Sequence, residues 1–304
     1  MTHKKKIAVV TGGAGFIGSH LSAALLARGY AVRVVDNLVA GKRECVPADA
    51  DFFEIDTRDR KALTPVFLGA DCVFHCAALP RVEDSIRNPE ESHDVNVTGT
   101  LNVLVAATSA GARRVIFASS SAIYGNHAES PLREELAPIP LSPYALHKYI
   151  SEKYLILFAQ LYGLETVSLR FFNVYGPGLN PEGAYAAVIG RFMKLRAEGK
   201  PLTIVGDGTQ TRDFVQVRDV VRALIAAAES KKVGKGEVLN IGTGHEVSVN
   251  ELADLFGGER VTVSPRVEPH SSRADISKAK EFLAWEPKVR LIDGVAELVN
   301  EFHT

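Results

Sequence analysis

A glycine-rich turn follows the first apolar run of the chain and suits the binding of phosphate. Residues 7–10 lead into TGGAGFIG, in which Gly12, Gly15 and Gly18 follow a G-x-x-G-x-x-G spacing, and Gly13 adds a G-x-G-x-x-G spacing. Glycine permits a tight turn and a close approach of the backbone to a pyrophosphate. The N-terminus of the helix that follows offers unpaired N–H groups and a positive dipole end. The spacing therefore predicts a dinucleotide site.

An acidic residue stands where such a site needs one. The next apolar run ends at Asp36, 18 residues after Gly18. A carboxylate at this point binds the ribose hydroxyls of adenosine and repels a 2′-phosphate, which favours NAD over NADP. Lys42 and Arg43 follow closely and offer charge to a phosphate, so NAD is the favoured cofactor and NADP stays open.

Two further stretches at the ends of apolar runs fit the same cofactor. Asp56 and Thr57 follow the third run, where a carboxylate can accept a hydrogen bond from the adenine amino group. Ala77 and Ala78 follow the fourth run, and their small side chains let the backbone approach the cofactor. Both stretches are predicted cofactor contacts.

The fourth run also raises the alternative of a metal site, since it contains Cys72, His75 and Cys76. In a strand, neighbouring side chains point to opposite faces of the sheet. A structural metal needs four converging ligands, which this run does not supply. The sequence therefore favours an apolar, buried strand without a metal.

A serine-rich segment and a tyrosine–lysine pair have the residue types for acid–base chemistry. Three serines at 119–121 follow the fifth apolar run, and Ser142-Pro143 predicts the start of a helix. Tyr144 and Lys148 then lie on one helix face. The lysine charge and that of an oxidised nicotinamide should lower the tyrosine pKa by on the order of 1–3 units. Such a tyrosine takes a proton from an alcohol near neutral pH while nicotinamide takes the hydride.

Alternating strands and helices must position these groups. Short runs rich in Val, Ile and Phe, typical of strands buried on both faces, occur at 7–10, 31–35, 52–55, 71–78, 114–120 and 166–170. The helical segments between them include 17–28, 94–110 and 143–162. The alternation predicts an α/β fold with a Rossmann-type, doubly wound parallel sheet.

The second half of the chain has a different texture. Pro, Gly and Asn cluster at 173–183, and a second loop-rich stretch covers 257–272. Short strand and helix signals occur without a steady rhythm at 203–205, 219–229, 238–241 and 275–284. We therefore predict an NAD-binding domain over 1–172, to which segments near 214–243 return, and a smaller C-terminal α/β substrate domain over 173–304.

Composition restricts the partners and the compartment. The 304 residues are 46% hydrophobic and 23% charged, as in ordinary globular proteins. A net charge of −1 argues against a nucleic-acid partner, and no apolar run reaches the length of a membrane span. Three cysteines are too few, and odd in number, for a disulfide framework. The basic and apolar start resembles a signal peptide but breaks off at TGGAGFIG, so we expect a cytoplasmic protein.

Together these motifs resemble the extended short-chain dehydrogenase/reductases, specifically the bacterial UDP-hexose 4-epimerases. The resemblance extends from about residue 7 to the end of the chain and includes VNVTGTLNVL, RFFNVYGPG, VGDGTQTRDFV and ADISKA. It implies tightly bound NAD that is regenerated in each cycle and a UDP-hexose or UDP-N-acetylhexosamine substrate. It also implies reversible inversion at C4 through a 4-keto sugar, and a homodimer paired through helices 94–110 and 143–162.

The resemblance also assigns residues to the site. The catalytic hydroxyl of the family falls on Ser120, 24 residues before Tyr144, and Ser121 faces the sugar; a one-residue slip would exchange the two serines. The predicted catalytic residues are Ser120, Ser121, Tyr144 and Lys148. The predicted cofactor contacts are Gly12, Gly15, Phe16, Ile17, Gly18, Asp36, Asn37, Asp56, Thr57, Ala77, Ala78, Asn96, Ser119, Tyr144, Lys148 and Phe171. The predicted substrate contacts are Asn173, Val188, Arg212, Arg266 and Ser272, of which Asn173, Arg212 and Arg266 would hold the UDP moiety.

Several alternatives remain at the level of the sequence. A 4,6-dehydratase or a uronate decarboxylase needs a carboxylate directly after the catalytic hydroxyl, and this chain has Ser121 and Ala122 there, which argues against both. A UDP-glucuronate 4-epimerase stays open. A non-catalytic NAD-binding protein is less favoured, because such a protein has no need to keep Ser120, Tyr144 and Lys148 together.

One residue bears on the size of the sugar. Ser272 falls where some 4-epimerases carry a bulky tyrosine and others a small residue beside the C2 substituent. Serine leaves room for an acetamide, so we expect UDP-N-acetylglucosamine and UDP-N-acetylgalactosamine to be accepted alongside the plain hexoses. Residues 265–272 are one residue shorter than the family pattern, so a plain loop serine is the competing interpretation.

Overall fold

The computed structural model describes residues 5–180, 188–265 and 269–300. The strands in these ranges are β1 (Ile7–Thr11), β2 (Ala31–Asp36), β3 (Asp51–Glu54), β4 (Cys72–His75), β5 (Arg114–Ser120), β6 (Glu165–Phe171), β7 (Val174–Tyr175), β8 (Leu202–Val205), β9 (Thr211–Arg212), β10 (Val215–Gln216), β11 (Lys235–Ile241), β12 (Val247–Ser248) and β13 (Arg260–Val263). The helices are α1 (Phe16–Ala27), α2 (Arg60–Phe67), α3 (Val82–Arg87), α4 (Pro89–His93), α5 (Gly99–Ser109), α6 (Pro143–Tyr162), α7 (Val188–Ala197), α8 (Val217–Glu229), α9 (Val249–Phe256), α10 (Ser277–Leu283) and α11 (Leu291–Asn300).

Seven of these strands form one parallel sheet in the order β11-β6-β5-β4-β1-β2-β3. The order reverses between β1 and β4. In a doubly wound sheet, ligands bind outside the carboxyl ends of the strands at such a reversal. The predicted Rossmann-type fold is confirmed. A ligand site is therefore expected at the loops that follow β1, β4 and β5.

Both faces of this sheet are covered by helices. Val10 and Ile116 belong to an apolar core that includes residues of α1 and α8, while Val9 and Val115 belong to a second core with residues of α2, α5 and α6. Alternate residues of the same strand are therefore buried on opposite sides. This is why the strands have continuous apolar character in the sequence.

The chain after β6 contributes both to the seven-stranded sheet and to a separate apolar core. β11 pairs with β6 at the edge of the large sheet, and α8 packs against α1. A third apolar core lies among α7, α9 and α11, with Phe192 and Phe256 in edge-to-face contact. The domain boundary at residue 172 remains a prediction.

Three elements differ from the sequence-based expectation. β4 ends at His75 instead of continuing to 78, because the chain beyond it crosses the glycine turn. The segment 94–110 begins with a wide π-helical turn at Asp94–Thr98 before α5. The stretch expected to be a loop at 257–272 contains β13, whose exposed residues pair with β8. Within the described ranges, no helix is long and apolar enough to cross a membrane.

Candidate active site

The glycine-rich turn packs the end of β1 against the segment that follows β4. Gly12 has a φ of +70°, and a Cβ at this position would lie 2.6 Å from the backbone nitrogen of Ala77. A Cβ at Gly18 would collide with the carbonyl oxygen of Gly12, whereas a Cβ at Gly15 has this oxygen as its nearest neighbour at 3.2 Å. Gly12 and Gly18 are therefore required by the turn itself, and Gly15 lies on its more open side.

Helix α1 begins directly after this turn. Its N-cap is Gly15, which has no side chain to satisfy the first N–H groups, and the first turn of Phe16, Ile17 and Gly18 carries no acidic residue. The positive end of the helix dipole therefore favours an anionic ligand at this turn. This arrangement fits the pyrophosphate of a dinucleotide.

The Asp36 carboxylate is fixed beside the same turn. Its Oδ2 accepts a hydrogen bond from the backbone N–H of Ala14 at 3.0 Å, and its Oδ1 accepts one from Leu38 at 2.8 Å. Each carboxylate oxygen retains a further lone pair. The residues present thus fit the ribose hydroxyls of NAD.

Asp56 is held by the residue that follows Asp36. The side-chain amide of Asn37 donates to Asp56 Oδ2 at 2.9 Å. Arg58 makes a two-point contact with the same carboxylate at 2.9 and 2.7 Å. The hydrogen bond from Arg58 lowers the pKa of Asp56 to about 2, against the opposing effect of burial. Thr57 is buried, and its carbonyl oxygen accepts from Asn102. A contact between Asp56 and adenine remains a prediction.

Asn96 shapes the segment that follows β4. Its side-chain amide pairs with both backbone groups of Leu79, accepting from N–H at 2.8 Å and donating to the carbonyl at 3.0 Å. This clamp sets the path of the chain just after Ala77 and Ala78. The amide of Asn96 thus positions a backbone segment, and its direct contact with the cofactor stays a prediction.

Both ring nitrogens of His75 bind threonine hydroxyls, Thr11 at 2.7 Å and Thr100 at 2.9 Å. Thr100 donates its proton to the carbonyl of Asn96, so it accepts from His75 Nε2–H, and Thr11 donates to Nδ1. Burial lowers the pKa of His75 to about 3. His75 is therefore a neutral link between β1 and α5, and it is not free to bind a metal.

Ser120, Tyr144 and Lys148 converge beyond the carboxyl end of β5. Ser120 forms a side-chain hydrogen bond with Tyr144, and its Oγ also accepts from the backbone of Ala122 at 3.1 Å. Lys148 Nζ donates to the carbonyl oxygen of Ala118 at 2.8 Å and lies 5.9 Å from the centre of the Tyr144 ring. The three predicted acid–base residues are therefore brought together.

The neighbouring serines have different surroundings. Ser119 donates to Glu152 Oε1 at 2.6 Å, so its hydroxyl is directed into the protein. Ser121 begins the short 3-10 turn Ser121–Tyr124 and is half-buried. Phe171 is buried at the end of β6, next to β5. The cofactor roles of Ser119 and Phe171 and the sugar contact of Ser121 remain predictions.

The start of α6 holds Tyr144 in place. Ser142 caps the helix by accepting from Ala145 N–H at 3.2 Å, and Pro143 is the first helical residue, as the sequence predicts. The backbone N–H of Tyr144 donates to Ser85 Oγ at 3.1 Å. The tyrosine is therefore anchored at its backbone by α3 and at its hydroxyl by β5.

Burial acts on the pKa of Tyr144 in the direction opposite to the predicted lowering, which includes the charge of an oxidised nicotinamide and remains a prediction. Burial raises the pKa of Tyr144 to about 12, and the hydrogen bond from Ser120 acts in the opposite direction. Burial also lowers the pKa of Lys148 to about 8. The reason is desolvation, which disfavours phenolate and ammonium alike. The i, i+4 spacing of Tyr144 and Lys148 indicates the lysine charge but not how deeply either side chain is buried.

The predicted substrate residues are connected through Asp213. Asn173 Nδ2 donates to the carbonyl of Asp213 at 2.9 Å, and the N–H of Asp213 donates to the carbonyl of Ser272 at 2.9 Å. Arg212 donates to the carbonyl of Thr211 at 2.7 Å. The Ser272 hydroxyl oxygen is buried and has no hydrogen-bond partner among the described residues. Asn173, Arg212 and Ser272 therefore belong to one region.

Two further residues, Val188 and Arg266, were predicted to contact the substrate. Val188 is the first residue of α7 and packs, half-buried, against the third apolar core. Arg266 lies outside the described residues. Contacts of both residues with a substrate remain predictions.

Three of the buried charged residues, Glu152, Arg170 and Asp213, adjoin predicted site residues and were not themselves predicted. Glu152 follows Lys148 by four residues, which places it on the same helix face. Arg170 is the charged residue in the otherwise apolar run TVSLR, and a buried charge needs a partner. These two signals were present in the sequence, whereas the identity of the partner required the tertiary structure.

The doubly wound sheet and the glycine turn beside Asp36 define a dinucleotide-dependent enzyme. Residues 8–242 match the NAD dependent epimerase/dehydratase family. The chain belongs to that family.

Similar proteins cover nearly the whole chain. The UDP-glucose 4-epimerase of Mycolicibacterium smegmatis is 37% identical over 309 residues, with 97% of each chain covered. The structure of a UDP-glucose 4-epimerase with UDP-glucose from Thermotoga maritima matches with a TM-score of 0.93 at 41% identity, over 98% of both chains. A UDP-N-acetylglucosamine 4-epimerase from Methanobrevibacter ruminantium, in complex with UDP-N-acetylmuramic acid, matches with a TM-score of 0.92 at 35% identity, over 99% of both chains.

Gly15 and Gly18 should differ in how much stability an added methyl group costs. We expect Gly18→Ala to cost roughly 1–3 kcal/mol of stability and to weaken NAD binding at least ~10-fold, because its methyl group displaces the Gly12 carbonyl. Gly15→Ala, on the open side, should cost less than ~1 kcal/mol. Urea unfolding and titration with NAD measure both effects. Equal unfolding midpoints for the two variants would contradict this account of the turn.

Proposed function

We propose that this protein is an NAD-dependent UDP-sugar 4-epimerase, which inverts C4 of a UDP-hexose or UDP-N-acetylhexosamine reversibly. The observation that carries the proposal is the hydrogen-bonded pair of Ser120 and Tyr144, with Lys148 one helical turn further along, next to the glycine turn. The similarity to 4-epimerases over almost the full chain supports the same activity.

The chain's own residues provide a cradle for NAD. The N–H groups at the start of α1 would bind the pyrophosphate, Asp36 the adenosine ribose, and Tyr144 and Lys148 the nicotinamide ribose. When bound, NAD supplies a reversible two-electron acceptor for the sugar carbon C4.

Tyr144 would act as the proton acceptor and donor at the sugar 4-hydroxyl. Its Oη takes the proton as the 4-keto sugar forms and gives it back when the alcohol is restored. Ser120 Oγ hydrogen-bonds the same sugar oxygen and holds it in line. Lys148 places a positive charge beside the tyrosine, and this charge opposes the effect of burial on the phenol. Both proton transfers therefore use one residue.

The residues after the catalytic serine favour epimerisation over elimination or decarboxylation. Ser121 and Ala122 stand where the related lyases need a carboxylate for their additional proton transfer. With neither position acidic, the chain lacks the group that would drive the 4-keto sugar to a different product. A UDP-glucuronate 4-epimerase shares this feature and is the second candidate.

Removing the phenol hydroxyl tests the proposed mechanism. Tyr144→Phe should keep the fold and the bound NAD but reduce kcat by at least ~100-fold, since a general base is lost. Tyr162→Phe, at the exposed end of the same helix, is the matched control and should retain activity. Chromatography of UDP-glucose and UDP-galactose measures the turnover. Near-normal turnover by Tyr144→Phe would rule out the assignment.

We also propose that Ser272 admits the acetamide of an N-acetylated substrate. Within 5–180, 188–265 and 269–300 its buried hydroxyl has no hydrogen-bond partner, and its carbonyl accepts from the backbone N–H of Asp213, next to Arg212. A buried hydroxyl without a partner is rare and is satisfied when a ligand supplies one. Serine is also small enough to leave room for the additional atoms.

A pair of variants separates volume from hydrogen bonding at this position. Ser272→Tyr should reduce kcat/KM for UDP-N-acetylglucosamine by at least ~10-fold and spare UDP-glucose, because the ring fills the space of the acetamide. Ser272→Ala keeps the space and should affect both substrates little. Parallel assays on both sugars decide the matter. Equal losses on both, or no loss on either, would refute the role of Ser272.

We propose a homodimer paired through 94–110 and 143–162. One face of α6 exposes Leu146, Leu157 and Leu161, with exposed fractions of 43%, 45% and 69%. Ile150 lies on the same face, and Leu101 and Val105 of α5 are only partly covered. A row of exposed leucines on a helix face marks a protein interface.

The free thiol of exposed Cys45 supports a reducing compartment, and we propose the cytoplasm.

A charge placed in this row should separate the subunits. We expect Leu157→Glu to halve the mass measured by sedimentation equilibrium, because the buried carboxylate has no partner across the interface. Ile292→Glu changes a comparably exposed apolar residue of α11, which packs against α9, and should leave the mass unchanged. An unchanged dimer mass for Leu157→Glu would exclude this interface.

A further inference from the structure

A buried ion pair lies behind the active-site lysine. Glu152 follows Lys148 by one turn of α6, and Arg170 reaches it from β6 through two hydrogen bonds of 2.9 and 2.8 Å. Both side chains are almost fully buried, with exposed fractions of 2% and 4%. The mechanism derived above does not use either residue.

The surroundings fix the carboxylate in one orientation. Glu152 Oε1 also accepts from Ser119 at 2.6 Å. The Arg170 guanidinium lies 4.7 Å from the centre of the Tyr124 ring, and Tyr124 in turn donates to Asn240 at 2.6 Å. Three strands and one helix thus hold this charge at the back of the site.

Stability alone accounts poorly for the pair. A buried ion pair loses the hydration of both charges, and well-packed apolar residues in its place are often as stable. Arg170 Nη1 and the nearby Ser168 hydroxyl have no hydrogen-bond partner among the described residues.

Lys148 is faced by groups from several elements. On its own helix these are Tyr144 and Glu152; from β5 they are the Phe117 ring and the carbonyl of Ala118; from β4 and the segment after it they are His75 and Cys76. Burial raises the pKa of the Tyr144 phenol and the Cys76 thiol to about 12 and lowers the pKa of His75 to about 3. Near neutral pH all three are uncharged, so Glu152 is the anion among the described groups that face the ammonium.

We propose that Glu152, held by Arg170 and Ser119, is a positioning residue that keeps Lys148 in its charged form. The proposal extends the proposed function, since it relies on the proton-transferring role of Tyr144 beside a cation. Burial lowers the pKa of Lys148 to about 8, and the Cys76 and Glu152 groups act against this effect. Because the Cys76 thiol is neutral near pH 7, the opposing charge comes from Glu152.

Neutralising the carboxylate tests this directly. In Glu152→Gln we expect Lys148 to titrate about one pH unit lower than in the wild type, since an anion that favours the ammonium is gone. NMR of protein labelled at lysine Cε follows this titration, and Lys148→Met assigns the resonance. The alkaline limb of kcat should move by the same amount, which lowers kcat about fivefold at pH 8 with KM changed less than about twofold.

Two variants separate charge from packing. Arg170→Gln removes the cation that shares Glu152, so Lys148 should titrate at higher pH, opposite to Glu152→Gln. Glu165→Gln breaks the contact of another carboxylate with a buried arginine, Arg114, at the other end of β5 and β6 (2.8 Å), and should leave the Lys148 titration unchanged. Thermal unfolding reports the stability of each variant.

The outcomes distinguish this inference from the proposed function. Shifts of opposite sign in Glu152→Gln and Arg170→Gln support the positioning role, and a soluble Arg170→Gln alone still decides the sign if Glu152→Gln does not fold. An unchanged Lys148 titration, or shifts in the same direction, would overturn the role. A wild-type protein that fails to epimerise any UDP-sugar would overturn the proposed function, while the NMR titration remains a separate test of the lysine.

Discussion

Exclusion of water from the centre of the site is the constraint on which its chemistry depends. Lys148 and Tyr144 are both buried. Burial lowers the pKa of Lys148 and raises that of Tyr144, so it favours the uncharged form of each side chain. The proton transfer proposed for Tyr144 needs the opposite tendency, which nearby charge and hydrogen bonds provide. The arrangement of charge around α6 is therefore as much a part of the site as the residues that touch the substrate.

The parallel sheet makes this arrangement attainable. Carboxyl ends of parallel strands meet along one edge, and the reversal of strand order between β1 and β4 opens that edge to a ligand. The glycine turn, the clamp by Asn96 and the start of α6 all lie there. Rigid strands and a capped helix hold the groups more accurately than loops would.

The predicted substrate residues Asn173, Arg212 and Ser272 lie around one buried carboxylate, that of Asp213. Asp213 accepts hydrogen bonds from the backbone of Thr243, Gly244 and Ala274, and its own backbone binds Asn173 and Ser272. Burial raises its pKa, and the hydrogen bonds it accepts oppose the rise. Segments distant in the chain are thereby joined around a charge whose loss would release all of them. The predicted boundary at residue 172 falls just before this region.

The sequence by itself determined the sheet, the glycine turn, Asp36 and the helix that carries Tyr144 and Lys148, because each follows from local spacing, strand burial or a helix cap. Asn96 was also found, but its clamp on Leu79 was not, since that contact joins separate segments. The effect of burial on the pKa of Tyr144 was not predicted, because burial cannot be read from a four-residue spacing. The pairing of Glu152 with Arg170 likewise needed the tertiary structure: a helix position and a strand position 18 residues apart meet only once α6 packs against β6.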